Sequence, residues 1–148
     1  MKLNLGCGEL YLKGYKNIDV STDVKADEYY DIRTGIREPD NSVEEVLCGC
    51  ILEQICSNEE FLFVMNEIWR VLKPDGKLIG YVPDASLPIA FQDPFDCRRF
   101  TKETFKYFDI DHIYYQRFGK HYGFKPWKVI KCFTADNGII HFEMKPVK

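Results

Sequence analysis

The chain has 148 residues, 45% hydrophobic and 29% charged, with a net charge of −3 and six cysteines. That length suits a single domain over residues 1–148 with one real core, and the ordinary apolar content excludes a disordered chain. No apolar run approaches a membrane span and no basic-then-apolar leader opens the chain, so a membrane is excluded as a partner, a cytoplasmic location is expected, and the cysteines read as reduced thiols.

Lys2–Leu5 reads as a first strand that delivers the chain to the turn Gly6-Cys7-Gly8. Glycines at such a turn let the backbone approach a ligand that a Cβ would block. Lys16–Val20 reads as a second strand, and Asp19 near its end is placed to accept hydrogen bonds from both hydroxyls of a ribose. The link from Gly8 to Lys16 is too brief for a good crossover helix. Tyr29–Ile32 makes a short third strand ending in Asp31 and Ile32, and Asp40-Asn41-Ser42 turns the chain into a fourth strand, Glu45–Cys48.

Ser57-Asn58-Glu59-Glu60 has the pattern of a capping box, in which Ser57 takes an orphan amide and Glu60 reaches back. The helix it opens carries Phe61, Val64, Met65, Ile68 and Leu72 along one face. Pro74-Asp75-Gly76 is expected to stop it and turn into a fifth strand, Leu78–Val82. Residues 84–100 hold Pro88 and Pro94 with little periodicity and read as a loop over the site, followed by a short helix from Thr101 to about Phe108. Lys128–Thr134 and Ile139–Lys145 flank Ala135-Asp136-Asn137-Gly138, a strong hairpin signal. Alternating strand and helix predicts an α/β fold: a mostly parallel sheet with helices on both faces, ending in an antiparallel C-terminal hairpin.

In such a sheet ligands collect beyond the carboxyl ends of the strands, where strand order reverses. Gly6, Cys7 and Gly8 follow strand one, Asp19 and Val20 end strand two, Asp31 and Ile32 end strand three, and Cys48 to Cys50 follow strand four. A nicotinamide dinucleotide is disfavoured. Its fingerprint needs a third glycine where this chain has Tyr11, Leu10 denies the other spacing, and no well-formed helix meets a pyrophosphate.

Four blocks carry a family resemblance: Leu3 to Gly8; Gly14-Tyr15-Lys16-Asn17-Ile18-Asp19; Pro39-Asp40-Asn41-Ser42-Val43-Glu44-Glu45-Val46; and Glu67-Ile68-Trp69-Arg70-Val71-Leu72-Lys73-Pro74-Asp75-Gly76, continuing to Val82-Pro83-Asp84. With them the chain resembles compact class I S-adenosylmethionine-dependent methyltransferases of the type 11 kind. The resemblance implies a Rossmann-like class I methyltransferase sandwich and S-adenosylmethionine as cofactor. It implies that Asp19 binds the ribose, Val20 packs beside the adenine, Asp31 takes the adenine amine, and the Ile32 amide meets a ring nitrogen. Backbone around Gly6 and Cys48 would hold the methionine portion. Related compact proteins are associated with surface sugars, so a small-molecule or glycan acceptor is expected. The chain departs from the pattern at Cys50 and Gln54, where relatives usually carry histidines.

A displacement at an activated methyl asks chiefly for positioning, and a base only where the acceptor must lose a proton. Asp84, just after strand five, is the first candidate for a substrate-contacting acid, with Cys50 a weak second. Its competing reading is a turn residue after Pro83. Arg98 and Arg99 could pin an anionic acceptor or brace the loop, and Tyr81 and Trp69 read as core. Asp93-Pro94-Phe95 follows strand five, the wrong strand for an amino-methyltransferase motif. Cys48 and Cys50 have no second close pair of Cys or His, so no metal is expected.

Residues 1–111 hold 13 Lys/Arg against 21 Asp/Glu, and residues 112–148 hold 7 against 2. Within the basic part Tyr114, Tyr115, Phe118, Tyr122, Phe124 and Trp127 interleave with Arg117, Lys120, Lys125, Lys128 and Lys131. A nucleic-acid methyltransferase would use such a stretch. The favoured reading is core or interface aromatics with solvated lysines, which leaves a homodimer open. A non-catalytic nucleoside-binding module is the remaining alternative, motivated by the missing histidines.

Overall fold

The structure is a computed structural model that describes residues 1–148. Its strands are β1 (Lys2–Leu5), β2 (Lys16–Asp19), β3 (Glu28–Tyr29), β4 (Val43–Gly49), β5 (Leu72–Pro83), β6 (Trp127–Thr134) and β7 (Ile139–Pro146), with one long helix, α1 (Asn58–Val71). They form one sheet in the order β3-β2-β1-β4-β5-β7-β6. The pairs from β3 to β5 are parallel, and β7 runs antiparallel to both β5 and β6. The expected mostly parallel sheet with its terminal hairpin is therefore present. Strand order reverses between β1 and β4, so a crevice opens beyond their carboxyl ends.

Register sorts the side chains into two faces. Leu3, Val46, Leu78, Met144 and Val129 lie in one cross-strand row, and Leu5, Cys48, Gly80, Phe142 and Cys132 in the next row on that face. Against this face pack Phe61, Val64, Met65 and Ile68 of α1, all buried. Burial of each such side chain stabilises the fold by roughly 1.5–3 kcal/mol. The alternate row, Asn4, Leu47, Ile79, Glu143 and Lys131, faces away. The expectation of helices on both faces fails, because the links in this short chain hold only one long helix and it lies on the core side.

The β1–β2 link has no helix, and a buried amide network takes its place. Asn17 is fully buried; its Oδ1 accepts from Asn4 Nδ2 at 3.0 Å and from the Leu12 N–H at 2.9 Å. Its Nδ2 donates to the carbonyls of Leu12 and Tyr15, each at 3.0 Å. Asn4 Nδ2 also donates to the Leu10 carbonyl at 2.7 Å, and Asp27 Oδ2 accepts the Asn17 N–H at 2.7 Å. Side-chain amides thus satisfy the backbone groups of an irregular link.

Several element ends move. The third strand is only Glu28–Tyr29, because Asp31 caps a 3₁₀ turn at Ile32–Thr34. Ser57 Oγ accepts the Glu60 N–H at 3.2 Å, but Glu60 does not reach back. Its carboxylate turns to Arg33 at 3.6 Å, and Ser57 donates instead to Glu59 at 3.0 Å. The helix ends at Val71, before Pro74. Pro74-Asp75-Gly76 lies inside β5, where the register slips between the pairs Val43–Leu72 and Glu45–Lys77, so the turn residues form an irregularity in a continuous strand. The short helix expected between Thr101 and Phe108 is a 3₁₀ helix, Lys102–Tyr107.

The reduced-thiol expectation is also corrected, since Cys56 and Cys97 form a disulfide with Cα atoms 5.5 Å apart. The sequence separation of 41 hid a pair that folding brings together: Cys56 just before α1, Cys97 in the loop after β5. In the basic aromatic stretch Trp127 and Tyr115 are buried as core, whereas Phe118 and Tyr122 are exposed, and Lys128 pairs with Asp111 at 2.6 Å.

Asn17→Ala strands several buried partners at once and is expected to lower unfolding stability by about 3 kcal/mol, read as a shift in urea midpoint with unchanged slope.

Candidate functional site

Beyond the carboxyl ends of β1, β2 and β4 lies a cavity of about 870 Å³. Gly6, Cys7, Gly8, Asp19, Val20, Asp31 and Ile32 all line it, as do Gly49, Cys50 and Tyr81. Gly6 and Gly8 take left-handed φ values of 63° and 51°. A Cβ at Gly6 would also meet the Ile51 side chain at 2.7 Å, so both conformation and space demand glycine there. The turn is tied to β2 by its own acid: Asp19 Oδ2 accepts the Gly8 N–H at 2.8 Å, and Oδ1 accepts the Ser21 N–H at 2.8 Å. Each oxygen keeps a lone pair for a ligand. Val20 is 67% exposed, an apolar side chain with nothing covering it.

Asp31 caps its 3₁₀ turn and forms a fork with Arg33, at 3.0 Å to Nε and 2.7 Å to the terminal nitrogen. That guanidinium holds the carboxylate below its usual range. Cys7 is buried, its thiol directed at the Lys25 carbonyl at 3.7 Å and its pKa raised by burial and by Asp19. Cys48 does not line the cavity. Its side chain is fully buried in the Leu5–Gly80 row, and burial raises its pKa well above the ordinary thiol value. Only its chain neighbours Gly49 and Cys50 reach the wall.

Of the catalytic candidates, Asp84 is not at the cavity. It is 4% exposed, Oδ1 accepts from the Ser86 N–H and hydroxyl at 2.9 and 2.7 Å, and Oδ2 accepts from Thr134 Oγ1 at 2.6 Å. It is a turn residue that pins the loop after β5 to the terminal hairpin. Cys50 does line the cavity, with a left-handed φ of 53° at a non-glycine position. Desolvation and the neighbouring Glu53 carboxyl push its thiol up to about 12, so it is neutral near pH 7 and unsuited to act as a base.

Three residues were not read as site residues. Tyr81, taken for core, lines the cavity opposite Gly49 in register, and a Cβ at Gly49 would overlap its ring. Strand alternation carries the signal: Leu78, Gly80 and Val82 face the core, which turns Tyr81 the other way. Phe95, 79% exposed, lines the cavity from the loop after β5. Behind the wall, Glu53 is 2% exposed and its Oε2 has no partner. Burial above all, with Asp96 adding, raises its pKa to about 7. Its main-chain carbonyl accepts the N–H groups of Cys97 and Arg98 at 3.0 and 2.9 Å, beside the disulfide.

This fold, with its glycine turn and acid at the switch point, is that of the class I methyltransferases. No family model and no curated protein matches the chain. Solved structures do. A SAM-dependent methyltransferase from Archaeoglobus fulgidus matches with TM-score 0.68 at 15% identity, covering 97% of this chain and 85% of that one. A putative type 11 methyltransferase from Sulfolobus solfataricus matches with TM-score 0.63 at 17% identity, covering 100% and 84%. A putative methyltransferase in complex with the Haloferax volcanii Trm112 methyltransferase activator matches with TM-score 0.67 at 14% identity, covering 99% and 82%. No helix is long and apolar enough to cross a membrane.

Because the native state holds the Glu53 proton more tightly than the unfolded chain, Glu53 favours folding at low pH. Stability is lost as pH rises from 4.5 through about 7. The shift corresponds to roughly 3 kcal/mol. Glu53→Gln is expected to flatten this slope and to raise the melting temperature at pH 8 more than at pH 4.5.

Proposed function

We propose that the chain is an S-adenosylmethionine-dependent methyltransferase acting on a small-molecule or glycan acceptor. The observation that carries this reading is the Gly8–Asp19 contact at 2.8 Å, which ties a turn needing glycine to an acid with free lone pairs. Bound there, the cofactor would supply an already activated methyl group. The residues fit it: Asp19 would take the ribose hydroxyls, Val20 would cover one adenine face, and the Ile32 amide would meet a ring nitrogen. Asp31 would receive the adenine amine while staying paired with Arg33. Main-chain groups at Gly6 and around Gly49 would hold the methionine arm.

The remaining work is alignment and exclusion of water. Tyr81, Gln54 and Cys50 form the wall beside the expected acceptor, and Phe95 stands at its rim. None of the three is an ionised base, so the chain acts there by shape and by hydrogen bonds that orient the acceptor. A second reading, a binding module without turnover, draws on the same observation together with the engagement of Asp84 by Ser86 and Thr134. We place this single domain in the cytoplasm, where the Cys56–Cys97 bond must persist against cytosolic thiols.

Calorimetric titration of S-adenosylhomocysteine is expected to show binding to the wild type and a loss of at least about tenfold in Asp19→Ala, on the order of 1.4 kcal/mol. A folded wild type that binds neither this nucleoside nor S-adenosylmethionine overturns the proposal. Tight binding without methyl transfer to any acceptor selects the second reading.

A further inference from the structure

A second cavity, of about 580 Å³, lies on the other side of the segment that walls the first. Its floor is aromatic: Phe124 packs edge to face on the buried rings of Phe61 and Phe108, with centroids 5.9 Å and 4.9 Å away. Tyr107 and the exposed Tyr122 form its sides. Arg98 enters this apolar surround with its guanidinium 4.2 Å above the Phe61 ring.

The bonds of Arg98 run only to neutral oxygens: the Ile55 carbonyl at 2.9 Å, the Cys56 carbonyl at 3.4 Å and Asn58 Oδ1 at 3.0 Å. Burial lowers its pKa, and no nearby charge offsets that effect. Two acids do line the cavity, but both are otherwise engaged. Glu59 accepts from Ser57 at 3.0 Å, and Glu103 pairs with Lys106 at 2.7 Å. A half-desolvated cation that neither acid of its cavity contacts is an unusual arrangement, since buried charges are ordinarily paired. Nε and Nη2 are taken by these oxygens, which leaves Nη1 as a charged donor for a carboxylate.

We infer that this cavity binds a small carboxylate with an apolar, ring-sized body, its head on Arg98 and its body on the Phe61–Phe108–Phe124 floor. The site is distinct from the cofactor cavity, and the inference does not rest on methyl transfer. The two share a wall: Ile55 and Cys56 line the first cavity, and their carbonyls are held by Arg98 of the second.

The test is ligand-detected NMR titration of the disulfide-bonded protein with 3-phenylpropionate and, as the uncharged match, 3-phenylpropan-1-ol. The acid is expected to bind the wild type at millimolar concentration or below and the alcohol at least tenfold more weakly. Arg98→Gln is expected to weaken the acid at least tenfold and leave the alcohol unchanged. Because Arg98 braces the chain before α1, Tyr122→Ala provides a second variant at an exposed position, with an expected several-fold loss for both ligands. Saturating S-adenosylhomocysteine is expected not to displace the acid. Absence of saturable binding by the acid, equal affinity for acid and alcohol, wild-type affinity in both variants, or displacement by the nucleoside overturns the inference.

Discussion

The fold depends on how β1 is joined to its parallel neighbour β2 without a helix. A helix would satisfy the backbone of that link internally; here Asn17 and Asn4 do it with side-chain amides. The same network reaches Asp27 and so fixes the approach to β3. The loops at the Asp19–Asp31 end of the cavity hang from strands that these two asparagines hold in place. A polar network inside a sheet is stabilising only when it is fully satisfied, and this one meets that condition at its centre. The glycine turn and Asp19 inherit their spacing from it.

The other end of the cavity is organised differently. There the loop after β5 folds down over the segment following β4, and the contacts that fasten it are covalent and polar. The disulfide, the two N–H groups on the Glu53 carbonyl and the Arg98 bonds all join residues 53–58 to residues 97–98. Asp84 anchors the start of that loop to the terminal hairpin through Thr134. A chain with one long helix thus shapes its site by fastening loops to one another.

Local patterns in the chain were enough to read the sheet, its order of elements, the terminal hairpin and the residues from Gly6 to Ile32 that share one cavity. Those signals are short-range: a glycine turn after an apolar strand, an acid at a strand end, Asn-Gly between β-branched runs. What escaped reading depends on contacts distant in sequence. Cys56 and Cys97 meet only after the loop folds back, and Glu53 becomes a perturbed acid only once folding buries it, with Asp96 adding to the effect. Asp84 reads as a free carboxylate until Ser86 and Thr134 are placed around it. Tyr81 was legible in principle, by alternation along β5, but its aromatic character favoured the core reading. Pro74-Asp75-Gly76 looked like a helix stop because local propensity cannot show that β4 will pair on both sides of it.

The bond between Cys56 and Cys97 also changes the topology of the molecule. It closes a covalent ring with a sequence separation of 41 that contains the whole of α1 and β5. The exposed loop bearing Phe91 and Phe95 belongs to that ring. A protease that nicks this loop therefore opens the ring without dividing the molecule. The amino-terminal strands and the terminal hairpin stay joined through sulfur, and they part as two fragments only when a thiol reductant is added.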